Sequence, residues 1–315
     1  MNLDTPIFVT SPNGLIGAAI VRRLAARGHS RVIPEGSGVD LRDLRDVRRF
    51  LRDIRAEVVI DALSMSGGID LNQRVPADLM VDNLMRTTNL VHASHLEGVT
   101  KLLYLASCCA YPKLCPQPMR PEHLLTGPLE PTNEPYGVAK LAGLKLCQSY
   151  RQQYGDDYIV GIPANPYGVG DDFSTDDSHV VGALIRKMHD AKLRGDLRVD
   201  VWGTGAAVRE FIFADDLAEA CIVALERYSS ATPLNLGNGE SVTISALADE
   251  IREVVGFRGQ LRFDHARTDG MPLKSLDSSP LRELGWRPTT SLRQGLEQTY
   301  GSFLASRAAT GFEES

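Results

Sequence analysis

The sequence predicts an α/β protein, a doubly wound parallel sheet with a smaller mixed α/β lobe, and three observations carry that prediction. Short apolar runs recur along the first half: Ile7 to Val9, Val32-Ile33, Val58 to Ile60, Leu102 to Leu105 and Tyr158 to Ile162. Each is bounded by turn signals and has the continuous apolar character of a strand covered on both faces. Between them lie stretches with helical spacing, Ile16 to Arg27, Leu44 to Ile54, Leu79 to His95 and Tyr136 to Tyr154. Strands and helices therefore alternate, and the crossovers are right-handed. The third observation is the turn after the first strand, Thr10-Ser11-Pro12-Asn13-Gly14-Leu15-Ile16-Gly17, which leads straight into a helix.

That turn gives the sheet its Rossmann-type character. A pyrophosphate can reach backbone amides at the helix N-terminus because Gly14 and Gly17 lack the Cβ atoms that would block it. Ser11 stands where a first glycine is expected. The second strand ends in Pro34-Glu35-Gly36-Ser37-Gly38. Glu35 is either a solvated loop residue or an acceptor for the adenosine ribose hydroxyls. In the second role it repels a 2′-phosphate and favours NAD over NADP.

After about Pro163 the pattern changes to Gly-, Asp- and Ser-rich loops, with a helix expected over Val180 to Lys192. A smaller lobe is expected to begin there, Asp215 to Leu225 to return to the first lobe as a helix, and Pro233 to Gly237 to resume the second. The expected division is 1–167 with about 211–230 for the dinucleotide lobe, and about 168–210 with 231–315 for the other. The polar tail from Ala308 is expected to fray.

Charge and cysteine usage narrow the function classes. With 34 Lys+Arg against 40 Asp+Glu the net charge is −6, which argues against a nucleic acid or an acidic membrane as partner. The N-terminus shows no basic and apolar leader pattern, and no apolar run is long enough to cross a bilayer. The five cysteines are odd in number and none has C-x-x-C spacing, so no metal site is expected and a reducing, cytoplasmic compartment is.

Ser107 follows the fourth strand, and Tyr136 and Lys140 share one face of the next helix at i, i+4. A ketone that gains hydride must gain a proton on oxygen. Tyr136 can supply it if the Lys140 charge lowers its pKa, while Ser107 orients the carbonyl. Cys109 and His179 each have two readings. They are an acid-base pair for protons made acidic by a 4-keto group, or a small core residue and a loop histidine.

Leu105-Ala106-Ser107-Cys108-Cys109-Ala110-Tyr111-Pro112-Lys113 and Glu130-Pro131-Thr132-Asn133-Glu134-Pro135-Tyr136 closely resemble the GDP-L-fucose synthase family of extended short-chain dehydrogenase/reductases. The likeness continues through Ser178-His179-Val180, Val201 to Gly205, Arg209-Glu210-Phe211 and Leu284-Gly285-Trp286. It implies a homodimeric enzyme acting on a GDP-4-keto-6-deoxyhexose, with epimerisation at C3 and C5 and then hydride reduction at C4. It assigns Ser107, Tyr136 and Lys140 to reduction, Cys109 and His179 to epimerisation, and Lys187, Trp202, Arg209 and Lys274 to the nucleotide sugar. The dinucleotide is expected against Ser11, Asn13, Gly14, Leu15, Ile16 and Glu35, with Tyr136, Lys140, Pro163, Asn165 and His179 further along. The dimer is expected through the helices around Leu79 to His95 and Tyr136 to Tyr154.

The chain departs from that family in two places. Lys187 stands where members carry an Arg, and Ser11, Asn13 and Pro34-Glu35-Gly36 replace a glycine and the basic residues that favour NADP. Two alternatives follow: a redox-neutral, NAD-dependent GDP-mannose 3,5-epimerase, and a non-catalytic nucleotide-binding regulator. A 4,6-dehydratase is disfavoured, because Cys108-Cys109 occupies the place of its acidic residue.

Overall fold

The computed structural model describes residues 1–36, 38–174 and 178–309. Ser37 and the tail from 310, where fraying is expected, lie outside the described residues. In chain order the first half contains β1 (Ile7–Val9), α1 (Leu15–Ala26), β2 (Val32–Pro34), α2 (Leu44–Ile54), β3 (Val58–Asp61), α3 (Ile69–Arg74), α4 (Pro76–Leu96), β4 (Lys101–Leu105), α5 (Glu134–Tyr154) and β5 (Asp157–Pro163). The second half contains β6 (Asn165–Tyr167), α6 (Val180–Arg194), β7 (Arg198–Trp202), β8 (Val208–Phe213), α7 (Ala214–Arg227), β9 (Leu234–Leu236), β10 (Ser241–Thr243), α8 (Ile244–Val255), β11 (Gln260–Asp264), β12 (Leu273–Lys274), α9 (Ser279–Glu283) and α10 (Leu292–Ala309).

Six strands form one sheet in the order β2-β1-β3-β4-β5-β9, every pair parallel. The strand order reverses at β1, so the crevice at its carboxyl end is where an open α/β sheet takes a ligand. The middle strands are largely apolar because helices cover both faces; Ile7, Phe8, Val9, Val59, Ile60, Leu102 and Leu103 are fully buried. A second sheet, β10-β8-β12 with β6 also paired to β8, and the parallel pair β11-β7 build the smaller lobe. It has its own core of Leu184, Ile185, Met188, Phe211, Leu247, Ile251 and Phe303.

Three expectations about lobe membership need correction. Leu234–Leu236, expected in the second lobe, pairs with Gly161–Pro163 as the last strand of the large sheet. Asn165–Tyr167, expected in the first, pairs with Phe211–Phe213 in the small one. Residues 211–213, expected with the first lobe, therefore belong to the small sheet. The physical reason is the break at Ala164, where the chain leaves the sheet end through the cleft and its next three residues pair with a strand more than 40 positions away.

Candidate active site

A cavity of about 340 Å³ opens between the two sheets, walled by the carboxyl ends of the central strands on one side and by α6, β7, β8 and β12 on the other. Ser107, Cys109, Tyr136 and Lys140 line its large-lobe wall, His179, Lys187, Trp202, Arg209 and Lys274 its small-lobe wall, and Ile16, Pro163 and Asn165 lie between. Sequence reasoning thus names twelve residues that the fold gathers around one space. Ser11, Asn13, Gly14, Leu15 and Glu35 lie outside that wall, at the β1–α1 turn and the end of β2.

Ser107 caps a single helical turn, Cys108–Ala110, its Oγ accepting from the Cys109 backbone N–H at 3.1 Å. The first turn of α5 packs directly on this segment: a Cβ on Gly137 would come within 2.7 Å of the Cys109 carbonyl oxygen, so only glycine fits. The Cys109 sulfur accepts hydrogen bonds from Asn133 Nδ2 at 3.2 Å and Lys274 Nζ at 3.4 Å. A bond from the Cys108 thiol, helped by the Lys274 ammonium, holds the Cys109 thiol well below the usual thiol range against the opposing effect of burial. The same bond, with burial, pushes the Cys108 thiol up. Lys274, expected on the nucleotide sugar, is therefore engaged with the thiolate. His179 immediately precedes α6, its side chain exposed on the cavity wall; desolvation by the surrounding protein lowers its pKa and the Cys109 charge opposes that.

Tyr136 Oη shares a hydrogen bond with Ser64 Oγ at 2.9 Å. Here the expectation that Lys140 lowers the phenol pKa fails. Burial raises Tyr136 well above the ordinary tyrosine value, the Cys109 charge adds to the rise, and bonds to Ser64 and Ser107 oppose it only in part. The Lys140 ammonium instead donates to the Leu63 and Leu105 carbonyls at 2.7 and 3.1 Å, and burial pushes its pKa down to about 8 while Asp61 resists. Two carbonyls at the strand ends have captured the charge and pinned β3 to β4.

Ser64 and Asn133 on the cavity wall, and Asp61 behind it acting on Lys140, are residues that sequence reasoning missed. Asp61, buried at the end of β3, accepts from Thr10 Oγ1, Thr87 Oγ1 and the Leu63 N–H at 3.1, 3.3 and 3.2 Å. Its signal was a single acid closing an apolar run. At the small-lobe wall, Trp202 lies under both Lys187, 4.7 Å from the ring centre, and Arg267, at 4.6 Å. The half-buried Arg209 spends two donors on the Val208 and Asp269 carbonyls.

The β1–α1 turn fits a dinucleotide. Ser11 is left-handed at φ 53°, a Cβ on Gly14 would come within 2.7 Å of Ser11 Oγ, and one on Gly17 would strike the Ser11 carbonyl. Such a cradle leaves the first N–H groups of α1, which has no side-chain cap, for a phosphate. Glu35 is tied to this turn, its Oε2 accepting from the Ser11 N–H at 2.8 Å.

The model of the NAD dependent epimerase/dehydratase family matches residues 7–237. The chain belongs to that family, in its GDP-L-fucose synthase branch. GDP-L-fucose synthase 1 of Arabidopsis thaliana is 48% identical over 299 residues, covering 95% of this chain and 93% of its own. A GDP-6-OMe-4-keto-L-xylo-heptose reductase from C. jejuni superposes with a TM-score of 0.91 at 29% identity, covering 97% and 99% of the two chains. A GDP-L-fucose synthetase from Naegleria fowleri bound to NADP gives 0.90 at 25% identity, covering 99% and 96%. The chain is an NAD(P)-dependent enzyme, which removes the reading as a non-catalytic regulator. Among the described residues no helix is long and apolar enough to cross a membrane.

Proposed function

We propose that this enzyme inverts C3 and C5 of a GDP-4-keto-6-deoxyhexose and then reduces C4. The observation that carries the reading is one cavity wall holding a hydrogen-bonded Cys109 sulfur next to Tyr136, with His179 across from it. The names of the relatives support the substrate class.

In this reading the Cys109 thiolate takes the proton from a carbon beside the ketone. The S–H bond forms, the C–H bond breaks, and its electron pair moves toward the C4 oxygen, which Tyr136 and Ser107 hold by hydrogen bonds. His179 returns a proton to that carbon from the other side. In the reduction Tyr136 gives its proton to the C4 oxygen; its raised pKa suits a group that must be protonated when that step begins. Arg209 takes the diphosphate, with Lys187 and Trp202 toward the nucleotide. Ser11, Asn13, Gly14, Leu15 and Ile16 hold the dinucleotide's pyrophosphate, and Glu35 holds its ribose. The bound dinucleotide contributes hydride exchange at C4.

Glu35 on the Ser11 amide favours NAD, since a carboxylate there repels a 2′-phosphate. The same contact favours the second reading, a redox-neutral GDP-mannose 3,5-epimerase that recycles its own NAD. We also propose a homodimer through α4 and α5, whose surfaces expose Val81, Met85, Leu96 and Tyr154. The five free thiols support a reducing, cytoplasmic setting.

The test releases any bound dinucleotide from denatured enzyme for mass identification. Native enzyme is then given GDP-4-keto-6-deoxymannose in deuterated water with NADH or NADPH. Deuterium at C3 and C5 with reduction at C4 is expected. Turnover of GDP-mannose with no added reductant would select the redox-neutral epimerase, and no exchange into either substrate would overturn both readings.

A further inference from the structure

Asn133 occupies the N-cap position of α5, where an asparagine ordinarily turns its side chain onto the first free N–H groups of the helix. Here it makes no such bond. Its Nδ2 instead reaches back across 24 residues to the Cys109 sulfur at 3.2 Å, and its Oδ1 is buried with no hydrogen-bond partner. The amide orientation follows from the chemistry, because the reverse would set a carbonyl oxygen against a sulfur that also accepts from Lys274. A helix cap has been given up for the contact with the sulfur, and the Oδ1 acceptor is left buried without a partner.

We propose that Asn133 is a positioning residue for the epimerising thiolate: its amide N–H fixes the Cys109 sulfur in the position from which it meets the carbon beside the ketone. The consequence for turnover rests on the functional reading above, whereas the thiol's ionisation does not. The other groups facing the sulfur are Cys108 and Ser107 on its own segment, Tyr136 on α5, His179 before α6, Arg209 on β8 and Lys274 on β12. Lys274 supplies charge and Cys108 a second donor. Asn133 is the neutral donor that also touches the helix carrying Tyr136, so it sets the sulfur in register with the reducing group.

Two variants separate positioning from structure. Asn133→Ala removes donor and acceptor. Asn133→Asp keeps the acceptor and is an equally good helix cap, but a carboxylate cannot donate to a thiolate. The pH dependence of iodoacetamide alkylation at Cys109, read on its own peptide by mass spectrometry, is expected to shift upward by about one pH unit in Asn133→Ala and further in Asn133→Asp, a tenfold or greater loss of thiolate. Deuterium exchange at C3 and C5 should fall at least tenfold in both. A structural role would leave a folded Asn133→Ala with wild-type alkylation and exchange, and that result overturns the proposal. If Asn133→Ala does not fold, Asn133→Ser, which keeps a helix cap but is too short to reach the sulfur, decides in its place by the same readouts. If Cys109→Ala still exchanges deuterium, the functional reading fails, while the alkylation profile continues to test the contact.

Discussion

Tyr136 and Cys109 face one cavity from adjoining segments, and the protein drives their protons in opposite directions. Both are enclosed and both pay for it, since burial opposes the charged form of each. Around Tyr136 the partners are the hydroxyls of Ser64 and Ser107, and Lys140, one turn further along α5, is bonded to two backbone carbonyls. Around Cys109 the partners are an amide, a second thiol and the Lys274 ammonium. Burial alone does not decide whether a group is an acid or a base; the donors aimed at it do. These opposite shifts suit the proposed function, in which the tyrosine donates the proton of reduction and the cysteine accepts the proton of epimerisation.

The widest separation between these halves is expected from Tyr136→Phe. Reduction at C4, followed by oxidation of added NADH or NADPH, should fall by about a thousandfold or more, with retained cofactor binding. Cys109→Ala should lower exchange of solvent deuterium into C3 and C5 by roughly 10²–10³-fold. Reduction of a sugar supplied with its C3 and C5 already inverted should continue.

Titration sharpens the same contrast. In the proposed reaction His179 delivers a proton, and its pKa is lowered, so exchange should decline as pH rises from 6 to 8, by up to about tenfold per unit once the ring is neutral. The thiolate sets the acid limb, and its depressed pKa moves that limb below the ordinary thiol range. Reduction depends on a tyrosine that stays protonated, and should be nearly flat across that window in stopped-flow single turnovers. The smallest effect is expected at the far end of the crevice: Glu35→Thr removes the carboxylate tied to Ser11 and should shift the ratio of NADP to NAD affinity by about tenfold, read by fluorescence titration.

Much of this was legible before the fold was known. The first five strands and their helices follow from apolar runs and helical spacing, because each parallel strand is read within its own three to seven residues. The small lobe was not legible in the same way. Its strands span two to six residues and their partners are far apart in sequence, as with Val208–Phe213 against Ser241–Thr243 and Leu273–Lys274. The i, i+4 spacing of Tyr136 and Lys140 correctly put both on the cavity wall. It could not show that the Leu63 and Leu105 carbonyls would take the ammonium, since those atoms arrive from two other strands. Asn133 was visible only as one letter of a motif. Its contact with Cys109 exists because Gly137 lets α5 pack onto that carbonyl.

The central claim is that two chemistries share one wall and can be pulled apart. The direct measurement is deuterium incorporation at C3 and C5 by Tyr136→Phe, followed by NMR of the sugar with GDP-4-keto-6-deoxymannose in deuterated water. Continued exchange at C3 and C5 with no reduction at C4 is the predicted result. Loss of exchange in a folded, cofactor-binding variant would contradict it and make Tyr136, rather than Cys109, the group on which the epimerisation depends.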